Sequence, residues 1–296
     1  MDCRYSRPES LAEAVAVLRD AQAATAGEAH LVAGGVALGI LMNEKLLEPR
    51  WFVDISRLEE LKGIEVTEEG GLRIGAACRH RDVERSAMVV DSYPILAEMA
   101  AEIACGRIKN RGTIGGNICL ADPQGDPPVA VIALRATLRA LGPDGARDIP
   151  ATEFFTGLYE TALRSNEILQ EIRLAPPAPN EGAAFGKFSA RRAMDYSSTV
   201  SVAVRLARDP ATEQIVDIGL GLGGSGEIPV WAKETEKALI GRRPDDEGFA
   251  AMRETLFAEI EPLADDLYSK DYKRHVAAVV MKRTVRKAWE RSGGTA

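Results

Sequence analysis

The chain has 296 residues, 46% hydrophobic and 27% charged, with a formal net charge of −7 at pH 7. That length accommodates two domains with real cores, and that balance belongs to a folded globular protein rather than a disordered one. The acidity argues against a broad nucleic-acid-binding surface, and no apolar run is long enough to span a membrane as a helix.

In chain order, the N-terminus Met1-Asp2-Cys3-Arg4-Tyr5-Ser6-Arg7-Pro8 has no signal-peptide pattern, so the expected location is cytoplasmic. Residues 10–23 predict a helix, with Ser10 as N-cap, Glu13 completing a capping box, and Leu11, Ala14, Val15 and Leu18 on one apolar face. His30-Leu31-Val32-Ala33 predicts a strand that runs into the glycine segment Ala33-Gly34-Gly35-Val36-Ala37-Leu38, read as a loop. Residues 51–55 and 72–76 predict strands, residues 83–86 open a helical stretch broken near Pro94, and residues 95–103 predict a helix. A second glycine segment follows, Thr113-Ile114-Gly115-Gly116-Asn117, then the irregular polar stretch 122–128 and an apolar run, 129–141, suited to a core helix and strand.

Pro176-Pro177-Ala178-Pro179-Asn180 is a stiff connector, because proline fixes φ and withholds an amide donor. Beyond it, residues 199–206 and 214–222 predict an antiparallel hairpin around Asp209-Pro210, and residues 272–289 predict a helix. The layout is a larger N-terminal domain, residues 1–175, and a smaller strand-then-helix domain, residues 181–290.

Several other motifs carry no binding or catalytic signal. The 4 cysteines and 3 histidines are scattered, without a C-x-x-C pair, so no metal ligation by this chain is expected. Gly219-Leu220-Gly221-Leu222-Gly223-Gly224 fits G-x-G-x-x-G, but Gly226 and Pro229 oppose the helix that a dinucleotide fingerprint needs, so it reads as a glycine-rich strand end. Neither a Walker-type loop nor a G-x-S-x-G elbow is present, and no catalytic residue is assigned. Arg79, Arg81 and Arg85 read as a solvated face.

The two glycine segments are different. Each sets adjacent glycines where bare backbone N–H groups can approach a phosphate. Thr113 and Asn117 add polar side chains, and Asp122 and Asp126 follow where a carboxylate can accept from sugar hydroxyls. Together the segments point to a bound dinucleotide.

The residues Tyr5 and Pro8, Leu31-Val32-Ala33-Gly34-Gly35, Ile108-Lys109-Asn110-Arg111-Gly112-Thr113-Ile114-Gly115-Gly116-Asn117, Ala121-Asp122-Pro123, Asp126, Lys187-Phe188, residues 191–195, Gly223-Gly224 and residues 272–275 resemble the FAD-binding medium subunit of the molybdenum hydroxylases, the xanthine dehydrogenase and carbon monoxide dehydrogenase family. That resemblance covers nearly the whole chain. It implies an α+β architecture: an FAD-binding fold of the vanillyl-alcohol-oxidase (PCMH) type in two subdomains, then a C-terminal antiparallel sheet with helices. It implies FAD held by Val32, Ala33, Gly34, Gly35, Val36, Ala37 and Leu38, by Thr113, Ile114, Gly115, Gly116 and Asn117, and by Asp126, Leu169, Lys187 and Tyr196. Lys187 would place a positive charge near the flavin. Val36 stands where relatives often carry Thr, Ser or His, so the first segment would bind chiefly through its backbone.

The same resemblance implies an electron-transfer oxidoreductase subunit. A large molybdopterin-binding partner would carry the molybdenum–pterin and a small iron–sulfur partner the 2Fe-2S clusters, in a heterotrimer or its dimer. The alternatives are a free-standing FAD-dependent oxidase of this fold and an assembly subunit without flavin. The substrate and the external electron acceptor stay open.

Overall fold

The computed structural model describes residues 3–189 and 198–294. The first unit comprises β1 (Arg4–Ser6), α1 (Leu11–Thr25), β2 (Ala29–Val32), α2 (Val36–Asn43) and β3 (Trp51–Asp54), with its strands in a three-stranded parallel sheet of order β1-β3-β2. Ser10 caps α1 by accepting the Glu13 N–H at 3.2 Å, and Glu13 reaches back to the N–H of Glu9 at 2.8 Å. The capping box therefore closes one residue earlier than the pattern predicts. Leu11, Ala14, Val15 and Leu18 are buried in one cluster with Val53 and Ile55 of the sheet side. The first glycine segment is shorter than the sequence suggests. Its loop ends at Gly35, and Val36, Ala37 and Leu38 already form the first turn of α2.

The second unit contains β4 (Ile64–Val66), β5 (Leu72–Gly75), α3 (His80–Arg85), α4 (Ala87–Ser92), α5 (Pro94–Glu102), α6 (Gly106–Lys109), α7 (Ile114–Leu120), α8 (Asp126–Ala133), β6 (Thr137–Gly142), β7 (Gly145–Pro150), β8 (Phe155–Gly157), β9 (Glu160–Thr161) and β10 (Ile168–Leu174). Pro94 opens α5, at the position where its missing N–H has no helical partner to lose. The main sheet is five-stranded and antiparallel, in the order β4-β5-β10-β6-β7. Its last strand in sequence lies at the centre: Ile172 of β10 pairs with Ile74 on one side and Leu138 on the other. The insertion of β10 ties the two halves of this unit together across the helices that carry the second glycine segment.

After the proline-rich connector come β11 (Glu181–Phe188), β12 (Val200–Asp209), β13 (Gln214–Gly223), β14 (Val230–Trp231), α9 (Lys233–Leu239), α10 (Asp246–Glu259) and α11 (Lys270–Arg291). The four strands form an antiparallel meander in sequence order. The predicted helix at 272–289 is α11, which packs on β11 and β12. On the opposite face of the sheet α8 lies against β13. Here the G-x-G-x-x-G stretch has a structural use. A Cβ on Gly219 would collide with the carbonyl of Ala133, and one on Gly221 with that of Val129. The glycines let a helix backbone rest directly on a strand, which joins the two domains. Glu98 of α5 adds a polar latch, accepting the Phe185 N–H at 3.3 Å and the Lys287 ammonium at 2.9 Å.

Substituting Gly221→Val should destabilise the chain by about 3 kcal/mol, the upper range for overpacking a filled interior. Chemical denaturation would measure it, and an unchanged midpoint would show that α8 does not depend on this contact.

Candidate functional site

The site is built where the first two units meet. Parallel strands β2 and β3 end side by side, with Val32 in register with Asp54, and the chain leaves β2 through Ala33-Gly34-Gly35. Gly35 has φ 70° and ψ 10°, a left-handed conformation that a residue bearing Cβ enters at a cost. That turn starts α2 without a capping side chain. Among the described residues, no acceptor meets the backbone N–H of Gly34, Gly35, Val36, Ala37 or Leu38. A row of free amides at the positive end of a helix is an anion-binding arrangement.

Gly34 also brings the second segment alongside the first. A Cβ there would collide with the Arg111 carbonyl oxygen and reach the Cα of Gly112 at 3.0 Å, so the two backbones touch. The second segment uses its amides differently from what its sequence suggests. Ile114 N–H donates to Cys78 O at 2.9 Å, Gly115 N–H to Ala76 O at 2.9 Å, and Asn117 N–H to Thr113 O at 3.0 Å. Gly116 N–H goes to the Thr113 hydroxyl at 3.1 Å, which makes Thr113 the N-cap of α7. These amides are engaged inside the chain. What the segment offers is the Thr113 hydroxyl hydrogen and the Asn117 side chain, whose Oδ1 is buried without a partner.

Asp126, the first residue of α8, is 1% exposed. Its Oδ2 accepts from the Lys187 ammonium of β11 at 2.6 Å, and its Oδ1 is buried without a partner. Burial pushes this carboxyl from 3.8 up to about 6, and the Lys187 charge pulls it part of the way back. Above that pH the two form a net-neutral ion pair. Asp122 lies just before α8. It folds its side chain onto the Gln124 N–H at 2.9 Å, and burial raises its pKa as well.

Leu169 on β10 is 3% exposed and belongs to the same core as Ile114 and Ile118 of α7. Tyr196 lies outside the described residues. Arg79 and Arg85 are exposed as expected, whereas Arg81 is tied to Glu84 at 2.8 Å and Asn110 at 3.2 Å. The helix α2 is not legible in the sequence, because its run Val-Ala-Leu-Gly-Ile-Leu-Met-Asn has neither a polar N-cap nor a polar face.

The groups present suit a dinucleotide. Free amides at α2 match a diphosphate, and two unpartnered buried acceptors, Asn117 Oδ1 and Asp126 Oδ1, match the hydroxyls of a polyol chain. No cluster of His, Cys, Asp or Glu suited to a metal occurs among the described residues.

Comparison with known proteins agrees with this chemistry. Residues 1–177 match the family described as the FAD binding domain in molybdopterin dehydrogenase, and residues 184–288 match the CO dehydrogenase flavoprotein C-terminal domain. The carbon monoxide dehydrogenase medium chain of Hydrogenophaga pseudoflava is 34% identical over 288 residues, covering 97% of each chain. The xanthine dehydrogenase FAD-binding subunit of Escherichia coli O157:H7 is 29% identical over 292 residues, covering 98% of this chain and 97% of its own. Among solved structures, carbon monoxide dehydrogenase from Hydrogenophaga pseudoflava lacking the Mo-pyranopterin moiety superposes with a TM-score of 0.92, at 34% identity and 98% coverage of both chains. Quinoline 2-oxidoreductase from Pseudomonas putida 86 gives 0.88 at 28% identity, with 99% of this chain and 98% of that one covered.

The buried carboxyl has a testable titration. A folded-state pKa above the unfolded value of 3.8 means that Asp126 favours the fold fully below that pH and loses this contribution as the pH rises through about 6. The carboxyl-carbon resonance of Asp126 in the FAD-free chain should titrate near 6. Lys187→Met should move the midpoint higher, since it removes the charge that lowers it; a downward move would show that the pair is not coupled in this way.

Proposed function

Given that this chain belongs to the FAD-binding medium-subunit family of the molybdenum hydroxylases, we propose that it relays electrons from 2Fe-2S clusters of a small partner subunit to an external acceptor, within a complex whose large molybdopterin-binding subunit oxidises the substrate. The observation that carries this reading is the pairing of an anion-binding helix start with polyol acceptors, in a chain without any metal-ligating cluster among its described residues. Bound FAD supplies the ability to take up and release electrons singly or in pairs, which a relay between clusters and a two-electron oxidant requires. The related chains are named as medium chains or FAD-binding subunits of multi-subunit dehydrogenases, which supports a heterotrimer or its dimer.

Within this reading each group of residues has a separate task. The amides of Gly34 to Leu38 hold the diphosphate through backbone alone, consistent with an apolar side chain at Val36. Thr113 and Asn117 orient the sugar chain across the contact between the two segments. Asp126 keeps Lys187 paired, so the local charge near the cofactor depends on the protonation of one carboxyl rather than on an unopposed ammonium. Residues 1–175 thus serve as the cofactor domain, and residues 181–290 deliver Lys187 from β11.

Two measurements test the proposal. Gly35→Val should abolish FAD retention, because the substituted residue disfavours the left-handed turn that aims the amides, while Gly35→Asn, which enters that region more readily, should keep part of it. Stoichiometric FAD in a folded Gly35→Val chain would overturn the assignment of the first segment. Purification of the native complex should recover molybdenum, iron and FAD together. A flavin-only protein that turns over substrate unaided would instead make it a free-standing oxidase.

A further inference from the structure

Lys109, the last residue of α6, carries a buried ammonium, with the residue 8% exposed. Its Nζ donates to Glu84 Oε1 at 3.0 Å and to the Ala101 carbonyl at 3.1 Å. The other oxygen of Glu84 accepts from Arg81 at 2.8 Å, and Arg81 Nε donates onward to Asn110 Oδ1 at 3.2 Å. His80, at the start of the same short helix α3, donates its backbone N–H to Gly112 O at 3.0 Å. Its ring is buried against Gly112, whose added Cβ would stand 3.1 Å from the imidazole Cδ2. Burial first and the Lys109 charge second push that imidazole down to about 4, so at neutral pH it adds no repulsion to the ammonium.

These contacts fall on residues 109, 110 and 112. The residue they bracket is Arg111, whose carbonyl is what Gly34 packs against. A buried ammonium costs stability unless it is fully paired, so a simple packing role would be met better by an apolar side chain. Charge-assisted hydrogen bonds are short and directional, and here they hold a backbone in place.

We propose that Lys109 is a positioning residue for the cofactor: clamped between Glu84 and the Ala101 carbonyl, it holds the Arg111–Gly112 backbone where Gly34 seats, and so sets the direction of the Gly34–Leu38 amides. The inference rests on the reading that those amides hold the FAD diphosphate. It adds residues 80, 81, 84 and 109, none of which need touch FAD, to the machinery of binding.

The test is a double-mutant cycle on FAD affinity, measured by flavin fluorescence on the FAD-depleted full chain, alongside urea denaturation of the same samples. Lys109→Met should weaken FAD binding about tenfold. Gly34→Ala should weaken it as well, and the double variant should be little worse than Gly34→Ala alone, since both act through one contact. Independent, additive effects would mean that Lys109 only stabilises α6, and would overturn the proposal. So would FAD affinity in folded Lys109→Met within about threefold of the parent. If Lys109→Met does not fold, Glu84→Gln is read by the same criteria. Gly35→Val separates the two layers: should it retain FAD, the diphosphate reading itself fails, whereas FAD loss there with an unaffected Lys109→Met defeats the positioning role alone.

Discussion

The contact between Gly34 and the Arg111–Gly112 backbone joins two parts of the chain that share no sheet. It can form only because one partner lacks a Cβ, and it brings the row of free amides of α2 against the segment that ends in Thr113 and Asn117. The parallel sheet of the first unit supplies one side and the helices above the five-stranded sheet supply the other. The juxtaposition of these two segments depends on the placement of whole units rather than on any one loop.

Two further constraints maintain that placement. The central position of β10 closes the second unit around α7, through Ala76: its N–H bonds to Gln170 O of β10, and its carbonyl accepts the Gly115 N–H. The glycines of β13 let α8 lie directly on the C-terminal sheet, which brings Lys187 of β11 to Asp126 at the start of α8. The energetic tension is concentrated in this pair. Desolvation disfavours the carboxylate, the Lys187 ammonium and then the Ser198 hydroxyl oppose that, and Oδ1 is left without a hydrogen-bond partner among the described residues. A buried acceptor left unsatisfied is expected where a ligand supplies the missing hydrogen bond.

Much of the local structure was legible from the sequence. The cap at Ser10, the apolar face of α1, the β12–β13 hairpin and the last helix all follow from short-range pattern, because capping and burial periodicity are properties of neighbouring residues. The glycine-rich stretch at 219–224 was legible as structural for the same reason: the residues after it oppose a helix. Less legible were the helical start at Val36, hidden by a run without polar punctuation, and the engagement of the Ile114 to Asn117 amides, which depends on the carbonyls of Ala76, Cys78 and Thr113.

The sequence by itself determined which segments offer groups suited to phosphates and hydroxyls: paired glycines, Thr113, Asn117 and Asp126 are residue types whose capacity to meet such groups is intrinsic. Only the tertiary structure decided how that chemistry is divided. It left the amides of the first segment without acceptors among the described residues, engaged those of the second, paired Lys187 with Asp126, and tied Lys109 to Glu84 and the Ala101 carbonyl. The physical reason is that the availability of a donor or the charge of a buried group depends on what the fold places within about 3 Å of it, and those partners come from strands and helices far away along the chain.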